Sequence, residues 1–219
     1  MNTLKRQAKN WMAIPFCHLR LDEDRVTELL DVATEVFMEH GFEGASTNEI
    51  AKRANCSKTT LYARFPTKQD LFIAVLERRM DECFKEFVTA LAVEGPIEAA
   101  LMELGTRILR VAAAKDKVRL ERVVSMEAER FPELAQRFYE LGPQRGQEML
   151  SRYLQEQIKR GRLRHEDPDL MAEHLLSLIT GGPIRWRVLR LHESCTPKEN
   201  EQRLRAAISA FLRAYGPRK

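Results

Sequence analysis

Five cations, Lys52, Arg53, Lys58, Arg64 and Lys68, fall between residues 50 and 69, a stretch that holds no Asp or Glu. Around them stand the hydroxyls of Thr47, Ser57, Thr59, Thr60 and Tyr62 and the amide of Asn48. Ammonium, guanidinium, hydroxyl and amide groups with no competing carboxylate suit a DNA groove, where polar groups grip phosphates and a few side chains reach base edges.

Such chemistry needs a scaffold that presents it on one face. Ser46 stands three residues before Glu49, the capping-box spacing, so a helix starts near Thr47. Ile50, Ala51 and Ala54 recur at helical spacing until Asn55, a residue that tolerates the left-handed backbone needed to stop a helix. Cys56 then supplies a small apolar plug and Ser57 caps a second helix whose inward residues are Leu61 and Phe65. Lys58, Thr59, Tyr62 and Arg64 are left for another surface, and Pro66 closes the helix. Two short helices joined by a tight turn form a helix-turn-helix, whose second helix enters the major groove. On spacing alone the same pattern describes an αα-hairpin with a solvated basic face.

The wording goes further than the spacing. Ile50-Ala51, then Ala54-Asn55-Cys56-Ser57-Lys58, then Thr60-Leu61-Tyr62, Phe65 and Lys68 resemble the DNA-binding signature of TetR-type repressors over about residues 25 to 75. That family's turn usually reads Gly-Val, so Asn55 and Cys56 are departures that still meet the physical requirement. Thr59, Ala63 and Arg64 also differ from the usual recognition helix, which alters the operator and not the class. The resemblance implies phosphate contacts from Thr47, Tyr62 and Lys68, with Thr60 close to the backbone, and base-edge contacts from Asn48, Lys58 and Thr59. Ser57 is mainly a cap, while Arg64 can pair with guanine or clamp phosphate.

The whole chain is compatible with this reading: 219 residues, 44% hydrophobic, 31% charged, and a formal charge of +4 from 36 Lys+Arg against 32 Asp+Glu. The modest basic excess points to a local nucleic-acid patch. No apolar run approaches the roughly 20 residues of a membrane span, so no membrane partner is expected. Residues 1 to 21 read as a mobile arm, with Lys5, Arg6 and Lys9 before a short apolar run broken by Pro15. Cys17, Cys56, Cys83 and Cys195 form no Cys-x-x-Cys pair, which fits a reducing cytoplasm and argues against zinc and disulfides. Cys56 reads as the plug, with a redox switch as the alternative because it adjoins a helix N-terminus and Lys58. His40 in a last helical turn before Gly41 has a structural explanation. His165, Asp167 and Asp169, and His192 with Cys195, read as loop polarity and not as metal ligands. No cofactor motif or catalytic constellation is evident.

The remaining elements read as helical. Val26, Leu29, Leu30, Ala33, Val36 and Phe37 form one stripe, the first helix of a three-helix head. A fourth helix from about Thr67 to Ala92 is long enough to join two domains. Helical segments follow near 97–114, 117–128, 132–141, 143–160, 168–191 and 197–214, with prolines at first turns after Phe131 and Gly142 and an expected kink with close helix approach at Gly181-Gly182-Pro183. The fold class is therefore all-α: a helix-turn-helix head over residues 22–68 and a larger C-terminal bundle over 69–219.

Phe84, Phe87, Met102, Met126, Phe138, Met149 and Tyr153 are the residues that can line an effector pocket, which the family resemblance leads one to expect. Arg107, Arg110, Arg119 and Arg122 either meet an acidic effector or form a solvated face with Glu103, Asp116 and Glu121. Leu175, Leu178, Ile179, Leu204, Ile208 and Phe211 lie on the last two helices, which in TetR-like proteins form a four-helix dimer interface. The expectation is a homodimeric, ligand-responsive regulator, a repressor released from a palindromic double-stranded DNA operator by a small apolar effector. The alternatives are a ligand-independent DNA-binding or structural helical protein and a small α-helical enzyme.

Overall fold

In the computed structural model residues 23–91, 95–191 and 196–217 are described, and they form helices only. The N-terminal arm, Cys17, His192 and Cys195 lie outside the described residues.

Helix α1, Glu23–Gly44, begins with two acids in its first turn and buries Leu29, Leu30, Ala33, Val36 and Phe37. Gly41 leaves helical geometry at φ 73°, a backbone that glycine adopts at no steric cost, and this turns Phe42 inward. Phe42 then meets Phe72 at 5.3 Å and Phe131 at 4.9 Å between ring centroids. Helices α2, Thr47–Arg53, and α3, Lys58–Arg64, pack beneath α1 through Ile50, Ala51 and Leu61.

Helix α4, Lys68–Leu91, spans 24 residues, about 36 Å at 1.5 Å per residue. Thr67 and Asp70 cap its start reciprocally: each accepts the other's backbone N–H at 3.0 Å. Its buried face, Leu71, Phe72, Val75, Leu76, Met80, Phe84 and Phe87, runs from the head into the bundle. Arg78 donates to the Thr27 carbonyl at 2.6 Å and pairs with Asp31 at 3.0 Å, fastening α1 along it.

The bundle comprises α5, Ile97–Ala112; α6, Lys115–Glu127; α7, Pro132–Tyr139; α8, Arg145–Lys159; α9, Pro168–Val188; and α10, Pro197–Tyr215. The Gly142-Pro143 break expected between α7 and α8 is instead a π-helical turn, Glu140–Gln144, that carries one helix into the next. Gly142 lies there against Met80, whose Sδ stands 3.1 Å from where a Cβ would be. No non-helical residue interrupts α9 at Gly181-Gly182-Pro183. Gly182 makes room for Trp186 of its own helix. The close approach falls at Gly105, where a Cβ would come within 2.5 Å of Leu204 and 3.3 Å of Ile179. Helix α5 thus sits against both terminal helices.

That packing corrects the expected dimer face. Leu175, Ile179, Leu204, Ile208 and Phe211 are at most 4% exposed, because the chain's own α5 and α8, with α9 and α10 against each other, cover their stripe, while Leu178 remains 47% exposed.

Candidate nucleic-acid interface

The turn between α2 and α3 takes the form that its residues require. Asn55 adopts φ 49°, and the Cys56 N–H donates to the Ala51 carbonyl at 2.9 Å. Cys56 is half-buried against the core, and burial pushes its thiol up, opposite to the shift that a thiolate switch needs. Ser57 accepts the Thr60 N–H at 3.0 Å and its hydroxyl lies 2.7 Å from that of Thr60, so both hydroxyls serve the cap. Ser46 holds the N-cap backbone of α2 without a side-chain bond. Glu49, its expected partner, pairs with Arg53 at 2.5 Å instead.

Leu61 and Phe65 anchor α3, which leaves Lys58, Thr59 and Tyr62 exposed on one side and Arg64 exposed on the other flank, with Asn48 of α2 exposed as well. Thr47 and Tyr62, two expected phosphate contacts, come together: their hydroxyl oxygens are 2.8 Å apart across the two helices. This pair fixes the tyrosine tip at the edge of the exposed face, and the Lys58 ammonium lies 5.9 Å from the same ring.

Lys68 turns the other way. Its ammonium donates to the Glu43 and Ala45 carbonyls at 2.9 and 3.3 Å and lies 4.9 Å from the Phe42 ring centroid, so it caps the end of α1. Glu39, His40 and Glu49 converge nearby, but Arg53 occupies that cluster: it bonds Glu39 at 2.9 Å as well as Glu49, and holds the Glu39 carboxyl below its ordinary range. The arrangement is an ion-pair network joining α1 to α2. In the loop before α9, Asp167 caps that helix by accepting the Asp169 N–H at 2.9 Å, and Asp169 accepts the Ser151 hydroxyl.

A family model described as the C-terminal domain of an AefR-like transcriptional repressor matches residues 99–217, more than half of the chain. A second, bacterial regulatory proteins of the tetR family, matches residues 29–75. The chain belongs to the TetR family. Over 59 residues it is 44% identical to the transcriptional activator FasR of Mycolicibacterium smegmatis, a match that spans 27% of each chain. A TetR-family regulator from Mesorhizobium loti superposes with a TM-score of 0.81 at 27% identity, covering 90% of this chain and 100% of the other. The flavonoid-responsive regulator FrrA superposes at 0.77 with 31% identity and the same coverage.

In this TetR-family chain the bundle holds a half-open cavity of about 280 Å³. Phe84, Phe87 and Phe138 line it, as expected, with Met80, Ile108, Leu176 and Ile184. The other expected lining residues lie elsewhere. Met102 faces a separate recess of about 600 Å³ beside Pro183 and Leu204. Met149 and Tyr153 pack half-buried on the core, and Met126 is 82% exposed because it sits on the outer face of α6.

Glu121 belongs to the solvated-face alternative in the sequence, yet Lys117 and Glu121 line the cavity. The available signal was spacing: Lys117, Leu120, Glu121 and Val124 share one helical face, and Leu120 and Val124 are buried. The arginines also have structural partners. Arg107 pairs with Glu103 at 2.6 Å, and Arg122 donates to the Val188 carbonyl at 2.9 Å and to that of Arg187, closing the end of α9. Arg119 donates to the Met38 carbonyl at 3.3 Å, and the Glu43 N–H donates to Glu127 at 3.2 Å. Helix α6 therefore touches the head with one face and the cavity with another. No described helix is long and apolar enough to cross a membrane.

Proposed function

We propose that this TetR-family regulator is a cytoplasmic homodimer that represses transcription from a partly palindromic operator and leaves it when a small apolar effector occupies the bundle cavity. The carrying observation is that Lys58, Thr59, Tyr62 and Arg64 are exposed on a helix inside a stretch without acids from residue 50 to 69, with Asn48 exposed on the preceding helix and Thr47 steadying Tyr62. Asn48, Lys58 and Thr59 reach base edges, while Thr47 and Tyr62 hold phosphate. Lys68 supports that contact by bracing α1, and Ser57 and Thr60 by fixing the start of α3. Residues 22–68 form the DNA-binding head and 69–219 the effector and dimerisation part.

The long match to a repressor's C-terminal domain favours repression, although FasR is an activator. The aromatic walls of the cavity, with the likeness to a flavonoid-responsive regulator, favour an apolar aromatic effector. Dimerisation falls to the outward faces of the last two helices. Leu170, His174, Leu178, Gly181 and Arg185 of α9 and Gln202, Ala206, Ser209 and Arg213 of α10 form parallel exposed stripes whose small residues permit close approach. DNA favours one separation of the two heads and effector another, and each acts only through its differential affinity.

The test is a titration of the protein on DNA from upstream of its own gene, with footprinting to locate two half-sites about one helical turn apart. An effector found by thermal-shift screening lowers operator affinity by about 5- to 150-fold, and operator weakens effector binding by the same factor. A single unpaired site, or a bound ligand that leaves operator affinity unchanged, overturns the corresponding half of the proposal.

A further inference from the structure

The walls of the cavity are mostly apolar, with Gln147, Glu173, Ser177 and Thr180 as neutral or rim-side polar groups beside one charged edge. Phe84, Phe87, Phe138 and Met80 supply flat and polarizable walls, and the interior charges sit on α6: Lys117 and, one helical turn on, Glu121. Side chains four apart on a helix carry their Cβ atoms about 5–6 Å from each other on the same face. Glu121 is half-buried and makes no hydrogen bond or ion pair with another described residue. Burial pushes its carboxyl up, and the charge of Lys117 only partly offsets this. A half-buried carboxylate that has no protein donor gains from a ligand that supplies one. Thr180, also among the lining residues, spends its hydroxyl proton on the Leu176 carbonyl at 2.7 Å and so offers an acceptor alone.

These groups define what the polar end of a ligand must be. An anion that pairs with Lys117 is repelled by Glu121 beside it and by the exposed Glu173, and a cation that pairs with Glu121 is repelled by Lys117. A neutral hydroxyl placed between the two donates its proton to Glu121 and accepts from the Lys117 ammonium with the same oxygen.

We infer that Lys117 and Glu121 are the specificity-determining residues of this cavity and select a neutral aromatic alcohol, a phenol, over anionic and cationic amphiphiles of the same skeleton. The inference rests on the effector reading above, which supplies the cavity's role but not its selectivity.

The experiment is calorimetric titration of full-length wild type, E121Q and E121L with four biphenyl probes: 4-phenylphenol, 4-methoxybiphenyl, biphenyl-4-carboxylate and 4-phenylbenzylammonium. Thermal melts confirm that each variant is folded. In the wild type the phenol binds about tenfold to a hundredfold more tightly than its methyl ether, the range set by one hydrogen bond to a charged group, and both ions bind more weakly than the phenol. E121L abolishes the preference for phenol over ether without weakening the ether, and E121Q retains only part of it. An undiminished preference in E121L overturns the inference, as does tightest binding of the carboxylate or the ammonium. Operator titrations with saturating 4-phenylphenol separate the two claims. Selective binding that leaves DNA affinity unchanged upholds the selectivity and sinks effector control, whereas no binding of any probe to the wild type overturns both.

Discussion

In the head, Asn48, Lys58, Thr59, Tyr62 and Arg64 stand outward on two seven-residue helices, whereas in the bundle Phe84, Lys117, Glu121 and Phe138 come from three separate helices and face inward. The head presents its chemistry on a short local scaffold: a left-handed Asn55, a serine cap and two apolar anchors suffice. The cavity exists only once α4 to α9 have packed, and its charged edge depends on the rotation of α6 about its axis. A surface built from neighbours in sequence changes its specificity by single exposed substitutions and keeps its fold. A surface built from distant helices couples specificity to stability.

The strongest way to break this contrast is on α9, which has an inner and an outer face. Leu175→Ala removes a 1% exposed side chain from the bundle core and costs about 2–5 kcal/mol in urea unfolding. Leu178→Glu, on the outer face, leaves the core packing in place and shifts the protein to monomer in sedimentation at micromolar concentration. The reverse pattern would return Leu175 to an intersubunit face. A middle-sized effect is expected in the head. Lys58→Ala relaxes base preference at one operator position by about 1–3 kcal/mol, while Tyr62→Phe weakens operator and scrambled duplex alike, both read by fluorescence anisotropy. Equal losses on the two duplexes for Lys58→Ala would make it a phosphate contact.

The smallest effect tests whether the head's ion pairs matter to its fold. Arg53 lowers the pKa of Glu39, so the pair's contribution is present above the ordinary glutamate range and fades as pH falls through the depressed folded value. The difference in urea midpoint between wild type and Arg53→Met should shrink from pH 7 toward pH 3. A pH-independent difference would point to packing of the arginine stem instead.

What could be read from the sequence follows the same division. The two helices of the head, their turn and the inward Leu61 and Phe65 were legible because caps and apolar spacing act over a few residues. Lys68 was not: its partners are the carbonyls of Glu43 and Ala45, more than twenty positions away. Periodicity located the apolar stripes of α9 and α10 but could not say whether the chain or a second copy covers them, and the chain covers most of them. For the cavity, residue type placed three of seven expected side chains on the wall, since an aromatic or methionine stripe looks alike whether it meets a void or a neighbour. The polar edge was missed because charges four apart on a helix usually belong to solvent.

The ring of Phe131 enters the head from the bundle side and packs edge-on against Phe42, which also meets Phe37 and Phe72. The head is therefore not a cassette. A chimera that joins residues 23–68 to another relative's bundle carries Phe42 into a place where its partners depend on the recipient, so transplanted operator specificity would come with a loosened head unless the loop aromatic and the start of α4 travel with it.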